Sequence, residues 1–262
     1  MVLLFPLPLA WLLSPGDPGS ALRKISDRVL SVAVCLLMGL ILLLTKSRGG
    51  YIAAAVGGLM VMWLSVRRRW ASVLILVLSL VVIGMGVWLL FGTKSQTPDL
   101  VEGATDPSTW VFRQQVWRTV LWMMADFPFT GVGMGSFNDV ASLLYALYVP
   151  QNPGAHNLYF QVGVDLGIPG MIAYIAVLML TLWMAGSAMR EFTQRGDGTL
   201  RVVAVGAMSG MVALMVHGGA DHTVWNTRAA FIPWVVMGLV VGLHGLEERE
   251  DGGEKKSKYE RA

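Results

Sequence analysis

The sequence predicts an all-α protein, a polytopic transmembrane helical bundle with a large extracytoplasmic loop carrying an interfacial helix. Three observations predict it. Of 262 residues, 55% are hydrophobic and 14% charged, against roughly 25% charge in ordinary soluble domains. Apolar runs close to the roughly 17 to 25 residues that cross a bilayer as helix recur along the chain. Basic residues gather in alternate connections between those runs. The formal net charge of +3 therefore reports topology, and no nucleic-acid partner is expected. The single cysteine, Cys35, lies inside an apolar run, so neither a disulfide framework nor a thiolate metal cluster is expected.

The elements follow in order. Residues 1–13 are apolar, but no basic flank precedes them and no small-residue cleavage site follows. With Pro6 and Pro8 inside it, this segment reads as a short or broken helix and not as a signal peptide. Spanning runs are expected at 29–45, 51–66, 71–91, 167–189, 202–217 and 229–246. Fourteen of the 20 Lys and Arg fall at 23–28, 67–69, 190–201 and 249–261, which positive-inside asymmetry places in the cytoplasm. Lys46, Arg48, Lys94, Arg113, Arg118 and Arg228 then lie outside, with the long loop of about 92–167 and the turns 46–50 and 218–228. One transmembrane domain, 1–246, is expected, followed by a charged, disordered cytoplasmic tail, 247–262.

The long loop holds two kinds of sequence. Residues 93–109, with Pro98, Pro107 and few apolar side chains, should be mobile. Residues 110–126 carry helical periodicity. At 100° per residue Phe112, Val116, Val120, Met123, Met124, Trp117 and Trp110 share one arc, opposite Gln114, Gln115, Arg118 and Thr119. Such a helix would lie flat on the outer leaflet. Arg118 falls among the glutamines as solvated surface, whereas Arg113 falls in the apolar arc and needs a reason.

Beyond this helix come Phe127-Pro128-Phe129-Thr130-Gly131-Val132-Gly133-Met134-Gly135-Ser136-Phe137, then His156-Asn157-Leu158-Tyr159-Phe160-Gln161, then Leu166-Gly167-Ile168-Pro169-Gly170. Irregular backbone survives at membrane depth only where protein or water satisfies its amides. This makes the stretch the expected working site. Alternate glycines at 131, 133 and 135 lack the preceding strand of a nucleotide loop, so turns of positive φ are the better reading. Ser136 and His156 form no hydrolase pair, because no nucleophile elbow or acid partner accompanies them.

Arg48 precedes Gly49-Gly50 at the start of an apolar run. It reads either as a snorkelling interfacial arginine or, with Arg113 on the same side, as a partner for phosphate oxygens. His156 is either structural or, with an ordinary pKa near 6.5, a proton acceptor at neutral pH. His217, Asp221 and His222 form a second polar group whose spacing allows a metal, though no H-E-x-x-H or cysteine pattern supports one. No metal and no cofactor are expected.

Five motifs in order resemble the O-antigen ligase and O-antigen polymerase family: Thr45-Lys46-Ser47-Arg48-Gly49-Gly50, Phe112-Arg113-x-x-x-Trp117, the Phe127–Phe137 stretch, His156-Asn157-x-Tyr159-x-Gln161 and Leu166–Gly170. The resemblance implies a multi-pass glycosyltransferase of the bacterial inner membrane. It would take a glycan from undecaprenyl diphosphate on the outer face and pass it to lipid A-core or to another glycan. It further implies that Arg48, Arg113 and His156 are essential, with Asn157 and Gln161 beside them as substrate-binding residues. On that reading the arginines neutralise the diphosphate leaving group, His156 is the general base, the anomeric centre inverts, and partners are the lipid-linked donor, the acceptor and membrane lipid. Members have more spans than are counted here, so a short or N-terminally truncated member is expected. The reading from a different class is a transporter or non-catalytic component of glycan assembly. Ion-coupled transporters usually hold ionisable groups mid-helix, and the six spans are expected to have none at their centres.

Overall fold

The computed structural model of the chain describes residues 1–13, 21–45, 47–65, 110–145 and 154–259. The expected span 71–91 and the proline-bearing segment 93–109 lie outside the described residues. Among those described there are helices and no strand: α1 (Pro6–Leu13), α2 (Ala21–Leu44), α3 (Arg48–Ser65), α4 (Trp110–Asp126), α5 (Phe137–Tyr145), α6 (Leu158–Arg195), α7 (Gly198–Gly218) and α8 (Phe231–Tyr259). Among the described residues three stretches are long and apolar enough to cross a membrane, Ile25–Leu44, Leu158–Arg195 and Gly198–Gly218. They match the runs expected at 29–45, 167–189 and 202–217. The apolar part of α8, Phe231–Leu246, is shorter.

The chain forms two compact units. The first holds α1, α2, α3, α6 from Met179, α7 to Leu214 and α8 from Pro233. The segment expected as a short helix is one, and Pro6 opens it, where a missing N–H costs no helical bond. It seats on small residues: a Cβ on Gly57 would stand 3.0 Å from Pro6 Cγ, and one on Gly206 2.8 Å from Leu7 Cα. Arg201 ties neighbouring ends together, donating from Nη2 to Leu64 O at 2.8 Å and from Nε to Thr193 Oγ1 at 3.0 Å. Asp197 caps α7 by accepting from Leu200 N at 2.9 Å.

The second unit holds α4, α5, α6 to Leu178 and residues 215–232. Phe112, Val116, Val120 and Met123 are fully buried and Met124 nearly so, packed with Phe137, Ala141 and Val164. Each such side chain contributes roughly 1.5–3 kcal/mol by leaving water. The apolar arc expected to face lipid thus faces protein. Periodicity identifies the buried face of a helix but does not distinguish lipid from a protein partner, and α5 and α6 supply that partner. Thr119, expected on the polar arc, is buried, while Leu121 and Trp122 are exposed.

The glycine-rich stretch after α4 closes onto a break in α6. At Gly167 the backbone leaves the helix, with φ 76° and ψ 178°. Pro169 has no N–H for Asp165 O, and Ile168 N turns away from Val164 O to donate to Pro128 O at 2.7 Å. Two carbonyls are left without helical partners. Val132 N donates to Val164 O at 2.8 Å and Gly133 N to Asp165 O at 3.1 Å, so the accounting for buried amides closes. The approach demands glycine on both sides: a Cβ on Gly131 (φ 63°) would lie 2.5 Å from the Asp165 carbonyl, and one on Gly167 2.7 Å from Phe129 C.

Candidate functional site

This clasp of the glycine stretch holds α6 at Val164–Ile168, and the site lies at the N-terminal end of the same helix, within the second unit. Asn157 caps α6: its Oδ1 accepts from Tyr159 N and Phe160 N at 3.0 and 3.1 Å, and its Nδ2 donates to Gly219 O at 3.1 Å. Immediately before it His156 takes φ 49°, a left-handed conformation uncommon for residues other than Gly, although His, like Asn and Asp, adopts it more often than most. The residue before His156 is pinned at both peptide groups. Ala155 N donates to Gln161 Oε1 at 2.7 Å, and Trp117 Nε1 donates to Ala155 O at 2.9 Å.

His156 is 4% exposed and its Nε2 is buried with no hydrogen-bond partner. Phe112 meets the imidazole edge-on at 6.3 Å, and the His222 ring stands 5.9 Å away. Burial pushes the His156 pKa below its ordinary value, and the Arg113 guanidinium and His222 push the same way while Asp221 opposes them. The imidazole is therefore neutral at pH 7. Its Nε2 is a buried polar atom in want of a partner.

Arg113 has the reason its position required. From the α4 face it reaches across to donate from Nη1 to Ala220 O at 2.8 Å, next to Asp221. Burial lowers its pKa, and the Asp221 carboxylate partly restores it. Asp221 Oδ1 accepts from His222 N at 2.7 Å and stands 3.5 Å from His222 Nδ1. Gly154 leaves room for this ring, since a Cβ there would collide with His222 Nε2. The structure brings together Arg113, His156, Asp221 and His222. Donor atoms of His156, Asp221 and His222 lie within 4.8 Å of one another, spacing that admits a cation, although the Arg113 charge acting on the same groups opposes one.

Beside this cluster a cavity of about 260 Å³ is lined by Asn138, Gln161, Asp221, His222, Trp225 and Asn226, among others. Asn138 Oδ1 is buried without a partner. A larger cavity, about 400 Å³, lies in the first unit among Leu7, Trp11, Leu30 and Val34 with Asp27 on its wall. Its apolar lining suits acyl or isoprenoid chains better than polar chemistry.

Of the residues expected at the site, Arg113 and His156 meet, and Gln161 lines the cavity with its amide bonded at both ends. Asn157 spends its amide on the helix cap and Gly219. Arg48 is the exposed first residue of α3 in the first unit, behind Ser47, whose Oγ accepts from Gly50 N at 3.1 Å. Arg118 is exposed. Two residues escaped the sequence reading. Asp165 and Trp225 bond each other, Trp225 Nε1 donating to Asp165 Oδ2 at 2.9 Å. Asp165 left a signal, a lone carboxylate within an apolar run; Trp225 left none.

A family model described as O-antigen ligase matches residues 33–175, more than half the chain. The chain belongs to the O-antigen ligase family. The match takes in Arg48, Arg113, His156 and both halves of the glycine clasp. Function of the O-antigen ligase or polymerase kind, on glycan and lipid-linked substrates, goes with that family, as does residence in a membrane, with which the three long apolar helices among the described residues agree. No curated protein matches the chain.

Proposed function

We propose that this protein is a glycosyltransferase that moves a glycan from undecaprenyl diphosphate to an acceptor hydroxyl, on lipid A-core or on another glycan, at the outer face of the inner membrane. The observation that carries the reading is the neutral, buried, unpartnered Nε2 of His156 beside the Arg113 guanidinium. His156 takes the proton of the acceptor hydroxyl as its oxygen attacks the anomeric carbon. The bond from that carbon to the diphosphate oxygen breaks, and its electron pair leaves with the diphosphate. Arg113 neutralises the developing charge, a preorganised electrostatic contribution that is often the largest in catalysis. Arg48, at the N-terminus of a helix in the first unit where backbone amides also favour anions, is in this reading an anion-binding cation in its own right. Direct displacement inverts the anomeric centre, and in this reading the Arg113 guanidinium does the work a metal would otherwise do.

The test is transfer by purified protein in vesicles with an undecaprenyl-diphosphate glycan, without added metal. Release of undecaprenyl diphosphate with glycan on lipid A-core supports the reading. Release only when a second lipid-linked glycan is the acceptor would make the enzyme a polymerase. Movement of the intact lipid-linked glycan between leaflets without release would put the chain among transporters.

A further inference from the structure

We propose that Asp165 is a positioning residue of the transfer site, one carboxylate that holds both the His156 loop and the Trp225 wall of the cavity. The proposal rests on the reading of His156 as the base. Asp165 is 0% exposed, and a buried carboxylate is costly unless its oxygens are hydrogen-bonded. Each oxygen takes one donor: Oδ1 accepts from Gln161 Nε2 at 3.0 Å, and Oδ2 from Trp225 Nε1 at 2.9 Å.

The first of these bonds decides which way the Gln161 amide faces. With Nε2 committed to Asp165, Oε1 points the other way and accepts from Ala155 N at 2.7 Å. Ala155 is the residue that leads into the left-handed turn of His156. A flipped Gln161 would set its NH₂ against the Ala155 N–H and release that turn. The second bond holds Trp225, whose ring also meets Tyr174 edge-on at 5.3 Å. Trp225 lines the same cavity as Asp221 and His222. Asp165 itself lies behind these residues, so it acts through them.

A reciprocal exchange tests this. Asp165→Asn leaves one acceptor oxygen for two donors, and Gln161→Glu sets two carboxylates face to face. The double variant restores every bond with the polarity of the central one reversed. The new amide at position 165 donates its NH₂ to one oxygen of the new carboxylate at position 161, Ala155 N donates to the other, and Trp225 Nε1 donates to the amide oxygen at 165. Each single change should lower kcat for transfer by about a hundredfold, the cost of a misplacement near 1 Å, with donor KM little changed. Hydrogen exchange at the Ala155 amide should speed up in both singles. The double variant should recover most of kcat and the protection at Ala155. Should a single variant fail to accumulate, Trp225→Phe drops one hydrogen bond while keeping an apolar ring, and it must lower kcat too.

Unchanged kcat in Asp165→Asn overturns the proposal, as does a double variant that regains Ala155 protection but stays as slow as the singles. A wild-type protein that transfers nothing refutes the proposed function instead, and the Ala155 protection pattern still decides whether Asp165 holds the loop.

Discussion

His156 and Arg113 show how much a single side chain's surroundings determine. Because burial and the neighbouring guanidinium both favour the uncharged imidazole, protonation occurs at a lower pH than in a free histidine. The acid limb of kcat/KM for transfer should therefore fall below about pH 6.5, and a limb at or above that value would remove His156 as the base. The same shift has a stability consequence with a definite sign. The unfolded histidine binds its proton more readily, so His156 favours the folded state fully above about pH 6.5. That contribution declines as pH falls toward the folded value. Substitution separates the two roles. His156→Ala should abolish transfer while donor binding persists, whereas Arg113→Lys, which keeps charge but loses the planar fork, should weaken donor engagement and slow transfer by about ten- to a thousandfold. Arg118→Ala, on the exposed face, should leave most activity. Loss of donor binding in His156→Ala equal to that in the arginine variant would make the histidine a ligand of the diphosphate. Both residues were legible because each is a polar group where the pattern calls for an apolar or irregular one. Asp165 was not recognised because it falls between the His156–Gln161 and Leu166–Gly170 motifs, in the loop just before the expected span, and one partner lies sixty residues on, at Trp225.

Among the elements, the clasp between the glycine stretch and the α6 break explains two motifs at once. Pro169 and Gly167 free the carbonyls of Val164 and Asp165, and Val132 and Gly133 supply the amides that take them. Sequence alone showed that irregular backbone needed partners, and it put positive φ at the glycines, which Gly131, Gly133 and Gly135 have. It did not show that the two irregular segments satisfy each other, since pairing between segments so far apart in the chain leaves no local periodicity. The same limit applies to α4, where the arc was legible and its partner was not. Gly131→Ala combines strained φ with a Cβ 2.5 Å from backbone, whereas Gly133→Ala carries the strain but meets only Ser136 Oγ at 3.5 Å. In detergent, the melting temperature of Gly131→Ala should drop by several degrees more than that of Gly133→Ala, beyond the roughly 1–3 kcal/mol of backbone strain common to both. Equal drops would mean that conformation alone, and not the close approach, explains the motif.

For the molecule as a whole, membrane orientation decides which compartment the site faces. The turn Gly196-Asp197 separates α6 from α7, and each helix holds a run long and apolar enough to cross a membrane, so a chain that crosses once with each returns to the face it left. Contacts within the second unit agree, with Asn157 Nδ2 on Gly219 O and Tyr159 Oη donating to Met215 O at 2.8 Å. His156 precedes the run expected to span at 167–189 and Asp221 follows the one at 202–217, so by this count both are expected on the face opposite residues 190–201. That turn lies among Arg190, Arg195 and Arg201, and an excess of basic residues in short connections marks the cytoplasmic side. The site should accordingly open outside, the face on which the proposed transfer takes place. In a Cys35→Ser background, cysteine at Gln114, exposed on α4, should react with a membrane-impermeant maleimide on intact spheroplasts, and cysteine at Gln194, exposed beside the turn, should react only after the membrane is opened. The reverse pattern would place His156 and Arg113 in the cytoplasm and end the case for transfer at the outer face, whatever the chemistry of the site.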